Sequence, residues 1–186
     1  MAQVHIEPPP AKIALFLVKL EMDKARLQFQ RLRHDSQDLD SLLHGTSERA
    51  ELWMSEDYQR RRMESMVALF ADIHFLLICL DKLDLLVKML ARLLPMAEEI
   101  AGVRKKYAVI LREYSTFRNH LEHIDERVER GISDLGNLNN GSFTFDGRLF
   151  DVGPSREREV EEIFEAILHA LETISNRNIP RCPVGP

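Results

Sequence analysis

Cysteine is scarce in this sequence: the 186 residues include two, Cys79 in an apolar run and Cys182 in a Pro-rich tail. Two cysteines in such places do not make a disulfide framework or a structural zinc site, and they fit a reducing compartment. A Gly-rich phosphate loop, a Ser-His-Asp arrangement and a nucleotide-binding βαβ unit are also missing. We therefore expect a cytoplasmic protein that uses no cofactor.

A long uninterrupted apolar run is missing as well. The most apolar stretch, residues 67–94, contains seven ionisable side chains, which argues against a membrane span and against membrane contact. Residues 1–10 show no charged segment followed by an apolar core, so we expect no secretory signal. The net charge of −5 argues against a surface that binds nucleic acid everywhere, but it allows a local basic patch.

Helical spacing dominates the rest of the sequence. The apolar content of 45% and the charged content of 30% are typical of a soluble globular protein, and the length fits one domain. Apolar residues three and four apart predict helices over roughly residues 11–34, 48–94 with a possible break near Ser55, 95–130 and 154–175. A cluster of Asp, Ser and Gly predicts a connection between residues 34 and 47.

Residues 142–151 alternate around Asp146-Gly147, which is the strongest short-range signal of a β-hairpin. Ser155 is the expected cap of the helix that follows. The sequence therefore predicts an all-α fold, a single-domain helical bundle of four to five main helices with a small β-hairpin before the last helix. We expect a flexible N-terminal lead over residues 1–10, the helical domain over residues 11–175 and a flexible tail over residues 176–186.

Residues 66–80 are apolar on every side of their predicted helix. A helix of this kind is buried all round, either within its own bundle or by a second subunit. Three polar groups, His74, Asp81 and Asp84, lie on the same predicted helix. We expect them to form a hydrogen-bonded core network or a dimer contact rather than a catalytic site.

The segment from Thr116 to Arg127 combines an apolar face with a dense set of ionisable side chains. Arg118 and His123 lie about 140° apart around a helix that turns about 100° per residue, and Asn119 lies one turn before His123. An arginine holds a phosphate through two parallel hydrogen bonds. Histidine is the side chain best able to exchange protons near neutral pH. Any chemistry in this chain is therefore expected here.

Arg118, the polar Asn119 and, after three more residues, His123 resemble the Arg-x(4-6)-His signature of HEPN domains. Those domains are all-helical bundles, often homodimeric, and many are metal-independent ribonucleases. The resemblance implies that Arg118 orients the scissile phosphate and that His123 acts as general base or acid while the 2′-hydroxyl of the RNA attacks. Asn119 would hold the phosphate or fix His123. It also implies a homodimer with a composite cleft, and a toxin that has an antitoxin or another protein as partner, from a toxin–antitoxin or phage-defence pair.

A basic stripe runs along the same predicted helix. Lys105, Arg112 and Arg127 fall within about 40° of one line along this helix. Asn119 and His123 lie close to the same line. The three basic residues are the candidate substrate-binding residues, because such a stripe could steer RNA toward His123. Glu122 lies beside the same place and would repel a phosphate, which counts against a nuclease.

Two alternatives stay open. In the first, Arg118 pairs with Glu122, and ion pairs between neighbours one turn apart make this a solvated face. The protein is then a non-catalytic helical homodimer that binds a protein or nucleotide partner. In the second, His120 and His123 hold a metal ion, but no third ligand is in view, so we expect no metal site.

Overall fold

Five helices make up most of the computed structural model, which describes residues 10–44, 55–94, 98–123, 138–139, 142–145 and 148–177. The helices are α1 (Pro10–His44), α2 (Glu56–Leu93), α3 (Glu98–Lys106), α4 (Ala108–Glu122) and α5 (Pro154–Arg177). Three short strands lie between α4 and α5: β1 (Leu138–Asn139), β2 (Ser142–Phe145) and β3 (Arg148–Asp151). The prediction of an all-α fold is confirmed.

α1 packs along α2 in a heptad-like pattern. Its buried residues are Ala14, Val18, Met22, Ala25, Phe29 and Leu32, followed by Leu39. The helix continues to His44, so the predicted connection from residue 34 is wrong up to that point. Leu39 is 5% exposed on the same face as Leu32, and its burial offsets the low helix propensity of the Asp and Ser residues around it.

α2 begins and ends at local signals. The hydroxyl of Ser55 accepts a hydrogen bond from the Tyr58 backbone N–H at 3.2 Å, and the first turn contains two acidic residues, which favour a helix start. After Leu93 the chain becomes extended at Leu94 (φ −93°, ψ 133°), because a residue before proline avoids helical angles. The earlier part of the predicted helix, residues 48–54, lies outside the described residues.

The described part of the chain does not bury α2 all round. Val67 is 59% exposed and Phe75 is 44% exposed, although both lie in the segment 66–80 that is apolar on every side. Of the two coverings that this pattern allows, the described part of the chain's own bundle does not supply the one over this face. Among the described helices, α2 is the one long and apolar enough to cross a membrane, a property that it shares with core helices of soluble proteins.

The predicted helix over residues 95–130 is instead two helices that meet at Tyr107. This residue leaves helical geometry (φ −103°, ψ 15°), and its side chain is 7% exposed. The bend allows α3 to pack against α5 while α4 packs against α2. α4 ends at Glu122 with His123 as its C-cap (φ −111°, ψ 31°), and residues 124–130 lie outside the described part of the chain.

The strands form one antiparallel sheet with the order β1-β2-β3. β2 and β3 pair within the segment 142–151, with Phe143 opposite Phe150, and β1 adds a third strand that the sequence pattern did not indicate. Phe150 is fully buried. Its ring lies 4.6 Å from the Phe117 ring and 6.0 Å from the Tyr114 ring. The sheet is thereby anchored to α4.

α5 begins at Pro154, so Ser155, its predicted cap, lies inside the first turn. The predicted inner face is confirmed for Val160, Ile163, Phe164, Ile167 and Leu171, which are buried, and Leu168 packs partly buried beside them. An ion pair at 2.8 Å between Arg26 of α1 and Glu161 holds the helix against α1. α5 runs to Arg177, slightly past the predicted end of the domain.

Candidate functional site at Arg118

α4 places the candidate catalytic residues beside and opposite its buried face. That face consists of Leu111, Tyr114 and Phe117. Arg118 directly follows Phe117, so its guanidinium lies at the border of the core and its side chain is 28% exposed. Asn119 and His123 are exposed. The arrangement follows from helical spacing, because a residue next to a buried one is turned only about 100° away from it.

The Arg118 guanidinium is held by three side chains. Its Nη1 donates to Asp81 of α2, and its Nη2 donates to Asn119 Oδ1 at 3.2 Å and lies 3.3 Å from Glu122 Oε2. The Asp81 side chain is 12% exposed and that of Glu122 is 38% exposed. The Nε–H is buried and has no hydrogen-bond partner among the described residues. The charge is therefore balanced by carboxylates, but one donor is unused.

Asn119 connects the other two candidate catalytic residues. Its side-chain oxygen accepts from Arg118, and its main-chain carbonyl accepts from the His123 backbone N–H at 3.2 Å. His123 therefore still makes the helical hydrogen bond, but as the C-cap its own angles (φ −111°, ψ 31°) depart from those of the ideal helix from which the separation of about 140° was calculated.

The predicted substrate-binding residues do not share one helix. Lys105 is exposed near the end of α3, whereas Arg112 is exposed on α4, beyond the bend at Tyr107. Arg112 lines a groove of about 340 Å³ between α4 and β3, together with the exposed Leu149. Arg127 lies outside the described residues. The predicted stripe is interrupted at the bend.

Two carboxylates of α2 position the helices around this site. Asp81 binds Arg118 of α4, and Asp84 binds Arg104 of α3 at 2.8 Å. The two acids thus form separate ion pairs rather than the predicted network with His74, whose buried Nε2 has no hydrogen-bond partner among the described residues. Their partners, 37 and 20 residues away, were not predicted. The available signal was an acidic residue inside an apolar run, which requires a partner but does not name it.

A second arginine site, which the sequence did not reveal, joins α5 to α4. Arg156 Nη1 lies 2.6 Å from Glu159, and its two terminal nitrogens each lie 3.3 Å from Glu113. The guanidinium also lies over the rings of Tyr114 and Phe150, at 5.7 and 5.6 Å. Burial raises the pKa of Tyr114. The members of this site come from separate segments, so no local pattern could indicate it.

Polar groups are also buried in the seam between α1 and α2. Glu21 is 7% exposed, and Gln28, seven residues later, is 4% exposed. Asp72 of α2 is also buried in this seam, at 4% exposure, and binds Arg31 at 3.2 Å. Burial, with a contribution from Glu21, raises the pKa of the Cys79 thiol to about 11. This thiol is therefore protonated at neutral pH and is no nucleophile.

Neither a metal cluster in the described part of the chain nor a known relative identifies this site. Groups of three His, Cys, Asp or Glu side chains that could hold a metal ion do not occur among the described residues. The His120 ring, considered above as a ligand, lies 6.4 Å from the Phe117 ring. No family model matches the chain, and no curated protein or solved structure matches it significantly.

Proposed function

We propose that this protein is a HEPN-like, metal-independent endoribonuclease that acts as a homodimer in the cytoplasm, and that its helices form the corresponding bundle. The observation that supports it most is the Arg118 guanidinium, which is partly exposed, contacts Asn119 and keeps a buried Nε–H that has no partner among the described residues. A phosphate is the acceptor that such a set of donors suits best. By the same resemblance, the protein is a toxin with an antitoxin or another protein as partner.

The two carboxylates at Arg118 have different parts in this proposal. Asp81 is mostly buried and holds the guanidinium against α2, so it positions the arginine. Glu122 is more exposed, and an ion pair close to solvent contributes little stability. A phosphate can therefore take the place of Glu122. It would meet Nη2 and the unused Nε–H, which form one edge of the guanidinium and suit bidentate binding.

The reaction needs no metal ion. The 2′-hydroxyl of the RNA attacks the adjacent phosphorus, the bond from phosphorus to the 5′-oxygen breaks, and a 2′,3′-cyclic phosphate and a 5′-hydroxyl result. His123 takes the proton from the 2′-hydroxyl or gives one to the leaving 5′-oxygen, a role worth about 100-fold to 10,000-fold in rate. Arg118 stabilises the growing charge on the phosphate. Lys105, Arg112 and Arg127 bind neighbouring phosphates.

Cleavage of RNA by the purified full chain in EDTA tests this proposal. Arg118→Ala and His123→Ala are each expected to lower the rate by about 100-fold or more. The matched controls are Arg158→Ala and His169→Ala, because both residues are exposed on α5, and both controls should cleave like the wild type. Equal rates for the wild type and the two site variants would reject these roles, and a requirement for a divalent cation would reject the mechanism.

The ion pair between Arg118 and Glu122 supports a second candidate, a non-catalytic homodimer that binds a protein or nucleotide partner. In that case the pair is a fixed part of a decayed site. Fluorescence anisotropy with a labelled RNA separates the two candidates. Binding without cleavage, with an affinity that falls steeply as salt is raised, favours the second.

A further inference from the structure

We propose that the outer face of α2 is the surface through which two copies of this chain associate, antiparallel and centred on Ile78. This outer stripe consists of Met63, Val67, Ala71, Phe75, Ile78, Leu85, Met89 and Leu93. At about 100° per residue, all of them lie within about 60° of one line along the helix. The buried residues Leu69, Leu76 and Leu83 lie on the opposite side.

The outer stripe is apolar and largely exposed among the described residues. Six of its large side chains keep between 38% exposure at Met89 and 62% exposure at Met63, and Ile78 at its centre is half-buried. With about 150–250 Å² for a large side chain, they leave roughly 500 Å² of apolar surface per copy. That is at the upper end for the largest apolar patch of a typical monomer, about 300–600 Å². With the polar side chains beside it, the stripe approaches the roughly 800 Å² that each partner buries in a standard interface.

The spacing of the outer stripe suits a second copy of the same helix. Counting outward from Ile78, apolar positions recur at 7, 11 and 15 residues on both sides, whereas Phe75, three residues before it, is matched by Asp81 three residues after it. Met63 and Leu93 are each 15 residues away, and Val67 and Met89 are each 11 residues away. A twofold interface requires a surface that is complementary to itself. Two antiparallel copies of α2 place Val67 beside Met89 of the partner subunit, near the midline of the stripe.

The charges beside the stripe favour a protein partner over a lipid surface. Around the helix, Glu64 and Lys82 lie about 40° to one side of Ile78. Asp81 and Arg92 lie about 40° to 60° to the other side, so both signs occur on each side of the apolar residues. A helix that binds a membrane surface instead carries a largely basic polar face. A mixed polar border around an apolar centre is the usual composition of a protein interface.

The same pairing would build the composite cleft, and this step alone rests on the proposed function. Asp81 is three residues from Ile78, on one flank of the outer stripe. The twofold axis places both Asp81 residues on the same side of the interface, about 9 Å apart along the helices. Each Asp81 holds its own Arg118. The two guanidinium groups are thereby brought to one side, where a single RNA strand could contact both.

Sedimentation velocity of the full chain across the micromolar range tests the association. The wild type is expected to be a dimer and Leu85→Glu a monomer, because the charge would be buried against an apolar surface. The matched control is Leu27→Glu on the outer face of α1, since Leu27 is 53% exposed and Leu85 is 54% exposed. The control should remain a dimer. A monomeric wild type, or a Leu85→Glu variant that dimerises like the wild type, would overturn the proposal.

Cysteine cross-linking tests the direction of the two helices, in a chain with Cys79→Ala and Cys182→Ser. Ile78→Cys lies on the proposed axis and should form an intermolecular disulfide on mild oxidation, because its twin is close. Leu93→Cys should not, since its twin lies about 45 Å away along the antiparallel helices. Cross-linking of both variants would indicate parallel helices and overturn the arrangement, as would cross-linking of neither.

Both measurements are independent of RNA cleavage. A dimer with the expected cross-link and no nuclease activity would support this interface and reject the proposed enzyme. Cosedimentation of the monomeric wild type with anionic phosphatidylserine vesicles, lost in Leu85→Glu, would instead assign the stripe to a membrane surface and overturn the proposal.

Discussion

Two arginines of this protein have similar polar partners but different surroundings. Arg118 binds Asp81 of another helix and Glu122 of its own, and Arg156 likewise binds one carboxylate of another helix and one of its own. The Arg156 side chain is 13% exposed and that of Arg118 is 28% exposed. Arg156 also lies over two aromatic rings.

The difference separates a structural contact from a site that can accept a ligand. Arg156 has apolar rings beside its planar group and carboxylates at its terminal nitrogens, so a new ligand would have to displace packed side chains. Arg118 has polar neighbours, Asn119 and the partly exposed Glu122, and an unused Nε–H. The surroundings, rather than the count of ion pairs, indicate which arginine can exchange its partner.

The largest effect is expected for Arg156→Ala. The substitution leaves two carboxylates without their shared cation and uncovers the rings of Tyr114 and Phe150, so the free energy of unfolding should fall by about 2–4 kcal/mol. Urea denaturation followed by circular dichroism measures it. Arg158→Ala, at an exposed position of the same helix, is the control and should change stability by less than about 0.5 kcal/mol. If the free energy of unfolding falls no further than in the control, Arg156 contributes no more to stability than an exposed arginine.

A smaller loss of stability, about 1 kcal/mol, is expected for Arg118→Ala. The arginine is more exposed than Arg156, and Glu122 can regain water when its partner is removed. The same denaturation experiment gives both values side by side. If Arg118→Ala costs as much as Arg156→Ala, the two sites are equally structural, and the interpretation of Arg118 as an exchangeable site is wrong.

The smallest effect is expected at Asp35, whose carboxyl lies close to that of Asp72. Burial, together with the neighbouring Asp72, raises the pKa of Asp35 above its usual value of 3.8. The folded protein therefore binds this proton more tightly than the unfolded chain. The resulting stabilisation is complete below pH 3.8 and is lost as the pH rises above that value toward the raised pKa. Asp35→Asn avoids this loss and should raise stability at neutral pH by up to about 1 kcal/mol.

Thermal unfolding between about pH 3 and pH 7 measures the effect of Asp35→Asn. The advantage of the variant should grow as the pH rises above 3.8, because only the wild type loses its bound proton there. Asp38→Asn is the matched control, since the Asp38 side chain is 61% exposed on the same helix. An advantage that is independent of pH would show that the carboxyl of Asp35 is not the cause.

Local patterns predicted some elements well and others poorly, for identifiable reasons. The inner face of α5 could be predicted because Val160, Ile163 and Ile167 repeat at helical spacing with charged residues between them. The extension of α1 could not, because the local preference of Asp and Ser for turns was outweighed by the distant contact that buries Leu39. The bend at Tyr107 was missed for a similar reason, since it serves the packing of α3 and α4 on different helices.

The candidate site shows the same division. The contact of Arg118 with Glu122 could be predicted, because residues four apart on a helix are neighbours in any fold. The contact with Asp81 could not be predicted, because it joins positions 37 residues apart. Helical periodicity specifies which residues share a face, since the backbone repeat is local. The partner of a buried charge and the apolar face left uncovered on α2 depend on how separate helices pack, which no local repeat specifies.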